Sequence, residues 1–121
     1  MRTIRRIILF AAATAAPLLA ADINGSWKFD GEVSGNPIRL DCAIKQDGEK
    51  FFGTCKAAEG GEIKLEGSIA GDKIRFAYQV DYQGTIYTLA YTGVVKDNAE
   101  MKGEIEVANT GGTFTAKKQG A

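Results

Sequence analysis

From residue 25 to residue 118 the sequence alternates between apolar and polar side chains, and this alternation restricts the fold more than any other feature. In one run, Ile74, Phe76 and Tyr78 alternate with Arg75 and Ala77. A period of two places successive side chains on opposite faces of a β-strand. The alternating runs are 25–33, 38–46, 50–57, 62–70, 73–82, 85–95, 100–107 and 112–118, separated by turn residues such as Gly, Asp and Asn. The pattern predicts an antiparallel all-β domain of eight strands.

Eight short strands with one apolar face each can close in two ways. An up-and-down barrel removes both sheet edges, whereas a sandwich leaves edges that need protection. No run carries an edge-protecting proline and no connection is long enough for a Greek-key return, so the barrel is favoured over the sandwich. A turn at residues 71–72 would place Ile69 opposite Ile74, Leu65 opposite Tyr78, and residue 63 opposite residue 80.

The two cysteines of the chain, Cys42 and Cys55, flank a turn signal. A four-residue loop at 47–50 would place them opposite each other, with Gln46 opposite Phe51, whereas a two-residue turn at Asp47-Gly48 would not. We therefore expect one structural disulfide. A redox-active pair is the alternative, although such pairs usually have Cys-x-x-Cys spacing.

The first 21 residues have the pattern of an export signal. A basic segment, MRTIRR, precedes an apolar stretch at 7–20 and small residues at Ala20 and Ala21. The alternative is an uncleaved anchor, but the stretch is short for a membrane span. We expect a bacterial periplasmic or secreted protein, with residues 1–21 as signal peptide, residues 22–121 as one barrel domain, and no membrane contact after cleavage.

Charge and composition exclude several function classes. The chain carries 15 basic and 15 acidic residues, and without residues 1–20 it has 12 basic residues and a net charge of −3. A mildly acidic domain gives no electrostatic reason to expect nucleic-acid binding. The chain has no histidine to activate a nucleophile or to bind a metal. We expect no enzymatic activity, no cofactor and no metal site.

Short motifs resemble those of known barrels. Gly-Ser-Trp at residues 25–27 is similar to the Gly-x-Trp start of the calycins, the superfamily of lipocalins, fatty-acid-binding proteins and avidins. The lack of a helix, the Asp-Gly-x-x-x-x-Gly-Thr sequence at 47–54 and the Thr-Phe-Thr sequence at 113–115 look more like the avidin/streptavidin fold. The resemblance covers about residues 24–118 and implies an eight-stranded barrel.

The biotin-binding residues of that fold have no counterpart here. Phe29 and Cys55 stand where the resemblance implies a polar group and a tyrosine, Gly112 stands where it implies an aspartate, and Trp27 is the single tryptophan. Biotin is therefore not the expected ligand. Periplasmic inhibitors of secreted metalloproteases are also similar in outline, but only a few residues of the exported part precede Gly25, too few for their N-terminal arm.

Aromatic residues on the apolar faces are the strongest functional signal. Buried tyrosine hydroxyls need hydrogen-bond partners, and an eight-stranded barrel is just wide enough to be filled or to hold one small molecule. The candidate binding residues are Trp27, Phe29, Phe76, Tyr78, Tyr82, Tyr87 and Tyr91. The sequence predicts either a barrel that binds a small apolar or aromatic ligand, or a protein-binding module with a filled core. The weakly charged outer face of residues 86–94 is a candidate subunit or partner contact.

Overall fold

The computed structural model describes residues 21–58 and 60–119, so the predicted signal peptide lies almost wholly outside the described residues. Eight antiparallel strands form one closed barrel in which sequential neighbours pair and the last strand pairs with the first. The strands are β1 (Gly25–Val33), β2 (Asn36–Asp47), β3 (Lys50–Ala57), β4 (Glu62–Ala70), β5 (Lys73–Tyr82), β6 (Thr85–Lys96), β7 (Glu100–Val107) and β8 (Thr110–Gln119). The predicted eight-stranded barrel is confirmed.

The alternation forms the barrel because each strand directs one apolar face inward. Twenty apolar side chains, between 0% and 7% exposed, form one continuous core. Within residues 21–58 and 60–119 no polar or charged residue is buried. No helix in the described part of the chain is long and apolar enough to cross a bilayer.

Glycines on the inward face let neighbouring strands approach closely. A Cβ atom on Gly103 would collide with the main-chain carbonyl oxygen of Thr92, and one on Gly67 would collide with the ring of Phe51. Phe76 lies opposite Gly67 and Phe114 lies opposite Gly103. These pairs fill the space that a missing side chain leaves, a device that stabilises bent sheets.

The disulfide forms as predicted, between Cys42 of β2 and Cys55 of β3, whose Cα atoms lie 4.0 Å apart. Both cysteines face the interior and are at most 3% exposed. The predicted register is confirmed, but the loop is shorter than expected, because Asp47 and Lys50 also pair and leave a two-residue turn. Gly48 adopts φ 64° in that turn, which favours glycine.

The register prediction fails at one place. Ile69 and Ile74 pair as expected, but the ladder between β4 and β5 ends at Glu66–Ala77. The predicted opposition of Leu65 to Tyr78, and of residue 63 to residue 80, is therefore not part of the hydrogen-bonded sheet. Each strand continues beyond this point with its other neighbour, β4 with β3 and β5 with β6.

Candidate ligand-binding site at the open end of the barrel

One end of the barrel, which we call the plugged end, is closed by residues 21–24. Ile23 is 0% exposed, and its amide donates to the side-chain oxygen of Gln46 at 2.8 Å. The amide of Ala21 donates to the Gly71 carbonyl at 2.9 Å, and that of Asp22 donates to the Asn98 side chain at 3.0 Å. Two turns and the end of β2 thus hold this segment in place.

Trp27 belongs to the plugged end. Its indole Nε1 donates to the Ile23 carbonyl oxygen at 2.9 Å, and the Lys118 ammonium lies 5.6 Å from the ring centroid. The polar atom of the tryptophan is thereby satisfied within the protein. The structure places this predicted site residue in the plug that closes the barrel.

The opposite end, which we call the open end, is lined by apolar side chains that solvent still reaches. Each of seven strands contributes the last inward-facing residue that still packs on the core before the turn, and all seven are half-buried. This open-end ring consists of Val33, Ile38, Ala57, Ile63, Val80, Tyr87 and Val107. The ring groups partly exposed apolar side chains at one end of the barrel, and small-molecule sites are lined mainly by apolar side chains.

An aromatic cluster fills the interior below the ring. The rings of Phe76 and Tyr91 stack with centroids 4.5 Å apart, and Phe114 meets Tyr91 edge-on at 5.0 Å. Phe29 and Phe51 contact Phe76 edge-on at 5.6 and 6.0 Å. Edge-on and offset contacts at these distances are the favourable aromatic geometries. Phe29 and Phe76 are therefore core residues.

The hydroxyl groups of two core tyrosines contact each other. The phenolic oxygens of Tyr78 and Tyr91 are 2.5 Å apart, and the side chains are 5% and 1% exposed. Tyr78 is the next inward residue of β5 below Val80 of the ring. Burial, with Tyr78 adding to it, raises the pKa of the Tyr91 phenol far above its usual range. The Tyr91 hydroxyl therefore stays protonated at neutral pH, and a protonated phenol can both donate and accept hydrogen bonds.

The remaining predicted tyrosines have separate positions. Tyr87 is a member of the ring, whereas Tyr82 is 62% exposed and does not line the interior. Tyr82 has the inward parity, but it is the last residue of β5, next to the turn Gln83-Gly84, where the strand has passed the end of the core. The expectation of four phenols on one interior wall is corrected to two buried phenols and one in the ring.

Sequence reasoning missed five ring residues. Val33, Ile38, Ala57, Ile63 and Val107 are aliphatic and looked like ordinary core positions. Their signal was positional, because each is the last apolar residue of inward parity before a turn at the same end of the barrel.

Depressions are also present on the outer face. One of about 880 Å³ includes Arg75, Thr92, Val94 and Lys102 in its lining, and a second of about 630 Å³ includes Phe52. Phe52, Val94 and Ile86 are among the exposed large apolar residues. The outer face therefore offers a second surface, on which exposed apolar side chains lie beside charged ones.

In the described residues no group of three or more histidine, cysteine, aspartate or glutamate side chains is arranged to hold a metal ion. Asp22 at the plugged end accepts hydrogen bonds from the backbone amide and the side chain of Asn24. The hydrogen bond from the backbone amide is the main cause of the lowered pKa of the Asp22 carboxyl group.

No protein-family model and no curated protein matches the sequence. The fold is similar to that of solved designed barrels. A redesigned β-barrel matches with TM-score 0.64 and 10% identity over 81% of this chain and 92% of that chain. The redesigned barrel mFAP1, solved bound to DFHBI, matches with TM-score 0.59 and 9% identity, covering 79% of this chain and 94% of its own.

A de novo designed fluorescence-activating barrel matches with TM-score 0.53 and 13% identity, covering 79% and 93% of the two chains. At these identities the likeness shows the fold alone. None of these three structures is an avidin, so kinship with the avidin/streptavidin fold stays a prediction.

Proposed function

We propose that this protein is an exported, non-catalytic barrel that binds a small apolar or aromatic ligand at its open end. The observation that carries the proposal is the half-buried ring of apolar side chains above the buried Tyr78–Tyr91 hydroxyl pair. Small-molecule sites combine an apolar lining with a few convergent polar groups, which is the composition found here.

Three further observations support the proposal. Barrels of the same fold have been solved bound to DFHBI, a small dye. Both cysteines are held in the disulfide and the chain has no histidine, which leaves neither a thiol nor an imidazole for catalysis. The basic and apolar first 20 residues agree with export. The avidin-like pattern, without its biotin-binding residues, fits a barrel with a different ligand.

Native mass spectrometry of the protein purified from an oxidising compartment tests the proposal. We expect a stoichiometric adduct that survives desalting and whose mass identifies the ligand. Removing the phenolic oxygens in the double variant Tyr78→Phe, Tyr91→Phe should reduce adduct occupancy at least tenfold.

Two matched substitutions locate the site. Val80→Arg places a charge in the open-end ring and should abolish the adduct, whereas Val94→Arg places the same charge on the outer face and should leave it unchanged. Absence of any adduct, or loss of the adduct in Val94→Arg alone, would contradict the proposal.

A second function, protein binding through a filled barrel, is favoured by one observation. Three exposed apolar residues, Phe52, Ile86 and Val94, lie on the outer face, and Phe52 and Val94 each line a depression there. If Val94→Arg removes a co-purifying protein while Val80→Arg does not, this second function replaces the first.

A further inference from the structure

The barrel wall contains a split between β4 and β5. Their ladder ends at Glu66–Ala77, although β4 continues to Glu62 and β5 continues to Tyr82. At the other junctions in the described part of the chain, pairing continues until at least one of the two strands reaches its turn. The split is thus the place where two strands run on without pairing to each other.

The backbone groups that face the split follow from the turns. Tyr82 and Thr85 close a two-residue turn, so the even-numbered residues of β5 bond to β6 and the odd-numbered ones face β4. One hydrogen bond at the far end of this hairpin agrees with the assignment. The amide of Val95 in β6 donates to the carbonyl of Asp72, an even-numbered residue just before β5, at 2.7 Å. The N–H and C=O groups of Gln79 and Asp81 therefore face the split.

The same alternation applies on the other side. The amide of Ile69 donates to the Glu49 carbonyl at 2.9 Å, towards β3, so the even-numbered residues of β4 face β5. Glu62 and Lys64 thereby direct their N–H and C=O groups into the split. Both of its margins present the donors and acceptors of an antiparallel ladder.

The margin on β5 lacks the usual protection of a strand edge. Proteins blunt exposed edges with lysine, proline or bulges, and residues 78–82 (Tyr-Gln-Val-Asp-Tyr) contain neither lysine nor proline. The carboxylate of Asp81 accepts a hydrogen bond from the amide of Gly84, in the turn between β5 and β6, at 3.0 Å. The edge is consequently free to pair.

Side chains around the split define what would fit. Half-buried Ile63 and Val80 border it on the inner side. Exposed Glu62, Lys64 and Asp81 border it on the outer side, where the acidic groups outnumber the basic one. A strand in the split would place alternate side chains on these two surfaces. Apolar side chains would face inward, and basic or polar ones would lie beside the two carboxylates.

We propose that the split binds an extended peptide strand of a partner protein, which pairs with Gln79 and Asp81 and carries alternating apolar and basic side chains. Addition of a strand to an open sheet edge is a general mode of peptide recognition, in which main-chain hydrogen bonds supply affinity. This surface adjoins the open-end ring and shares Ile63 and Val80 with it, but it binds through backbone groups of the wall.

Amide hydrogen exchange on the free protein is the first test. We expect the amides of Lys64, Gln79 and Asp81 to exchange at least 100-fold faster than those of Tyr78 and Val80, which bond to β6. Equal protection of all five amides would mean that the split is closed, and it would overturn the proposal.

A peptide titration is the second test. The probe is a capped octapeptide of alternating valine and lysine at millimolar concentration, and the control is its fully N-methylated counterpart. We expect the probe to slow exchange at Gln79 and Asp81 at least tenfold and the control to have no effect. No change with the probe would overturn the proposal.

Variants at residue 79 complete the test. Gln79→Pro removes a donor that faces the split and should weaken peptide binding at least tenfold, whereas Gln79→Ala should bind like the native protein. If Gln79→Pro does not fold, the exchange and titration data decide. A concentration-dependent dimer that protects Gln79 and Asp81 without peptide would assign the edge to a second copy and overturn the partner proposal.

Discussion

Both ends of the barrel are lined by apolar side chains, but only one end is closed by a further segment of the described chain. At the plugged end, Ile23 and Trp27 are at most 1% exposed, and the segment at 21–24 is held by hydrogen bonds to two turns and to the end of β2. At the open end, the seven ring residues have equally apolar side chains but remain half-buried. The plugged end is buried by an additional chain segment, whereas within residues 21–58 and 60–119 no such segment covers the open end.

The largest difference between the ends should appear on truncation of aromatic residues. Trp27→Ala should destabilise the fold by about 3–5 kcal/mol, because it leaves a cavity in the plugged end and removes the bond to Ile23. Tyr87→Ala at the open end should cost only about 1 kcal/mol, because the ring is already partly hydrated. Chemical denaturation followed by circular dichroism measures both. Equal losses would contradict the contrast between the ends.

The disulfide supports the wall between the two ends. The double variant Cys42→Ala, Cys55→Ala should lose about 3 kcal/mol, because the bridge closes a short loop in the unfolded chain. Unfolding curves with and without reductant provide the control. Reductant present during unfolding should destabilise the native protein and leave the variant unchanged, and a response of the variant would show that another effect is being measured.

The buried hydroxyl pair predicts a specific loss of stability at high pH. Because the folded-state pKa of Tyr91 is raised above the unfolded value of about 10, its contribution is fully present below pH 10 and is lost as pH rises above it. Between pH 10 and 11 the native protein should lose about 1 kcal/mol more than Tyr91→Phe does. If the free energy of unfolding of the two proteins falls in parallel with pH, Tyr91 ionises normally and water reaches its hydroxyl group.

The smallest expected effects compare two turns. Ala108 at the open end has φ 54° and Gly48 at the plugged end has φ 64°. Ala108→Gly should stabilise the protein by about 0.5–1 kcal/mol, and Gly48→Ala should destabilise it by about 1 kcal/mol, since a Cβ is strained at positive φ. Thermal unfolding of both variants measures these shifts. A destabilised Ala108→Gly would show that the residue adopts another conformation.

The fold was predictable because it rests on local regularities. The period-two pattern defined all eight strands, and the spacing of Cys42 and Cys55 determined the register of the second hairpin. The position of Phe76 opposite Tyr91 also followed from the turn between β5 and β6. These inferences need only the pleat and the turn length.

The site was less predictable because it depends on where the core ends. Tyr82 has the same parity as Tyr78, and only the three-dimensional stagger of the strands leaves it 62% exposed. The sequence predicts Trp27 as a ligand-site residue, whereas its indole bonds to Ile23 in the plug. This contact forms only because the chain before β1 folds back under the barrel, which the strand pattern does not reveal. The split beyond Glu66–Ala77 likewise follows from barrel curvature, which no hairpin pattern encodes.

The account depends most on the open end being the ligand-binding end, and chemical-shift mapping tests this directly. The isotope-labelled protein is titrated with 2-naphthol, a neutral aromatic molecule with one hydroxyl group. We predict shifts at Ile63, Val80 and Val107 of the ring, with the Trp27 indole unchanged. Saturable shifts confined to Phe52 and Val94 on the outer face, or no saturable shifts at all, would contradict the account.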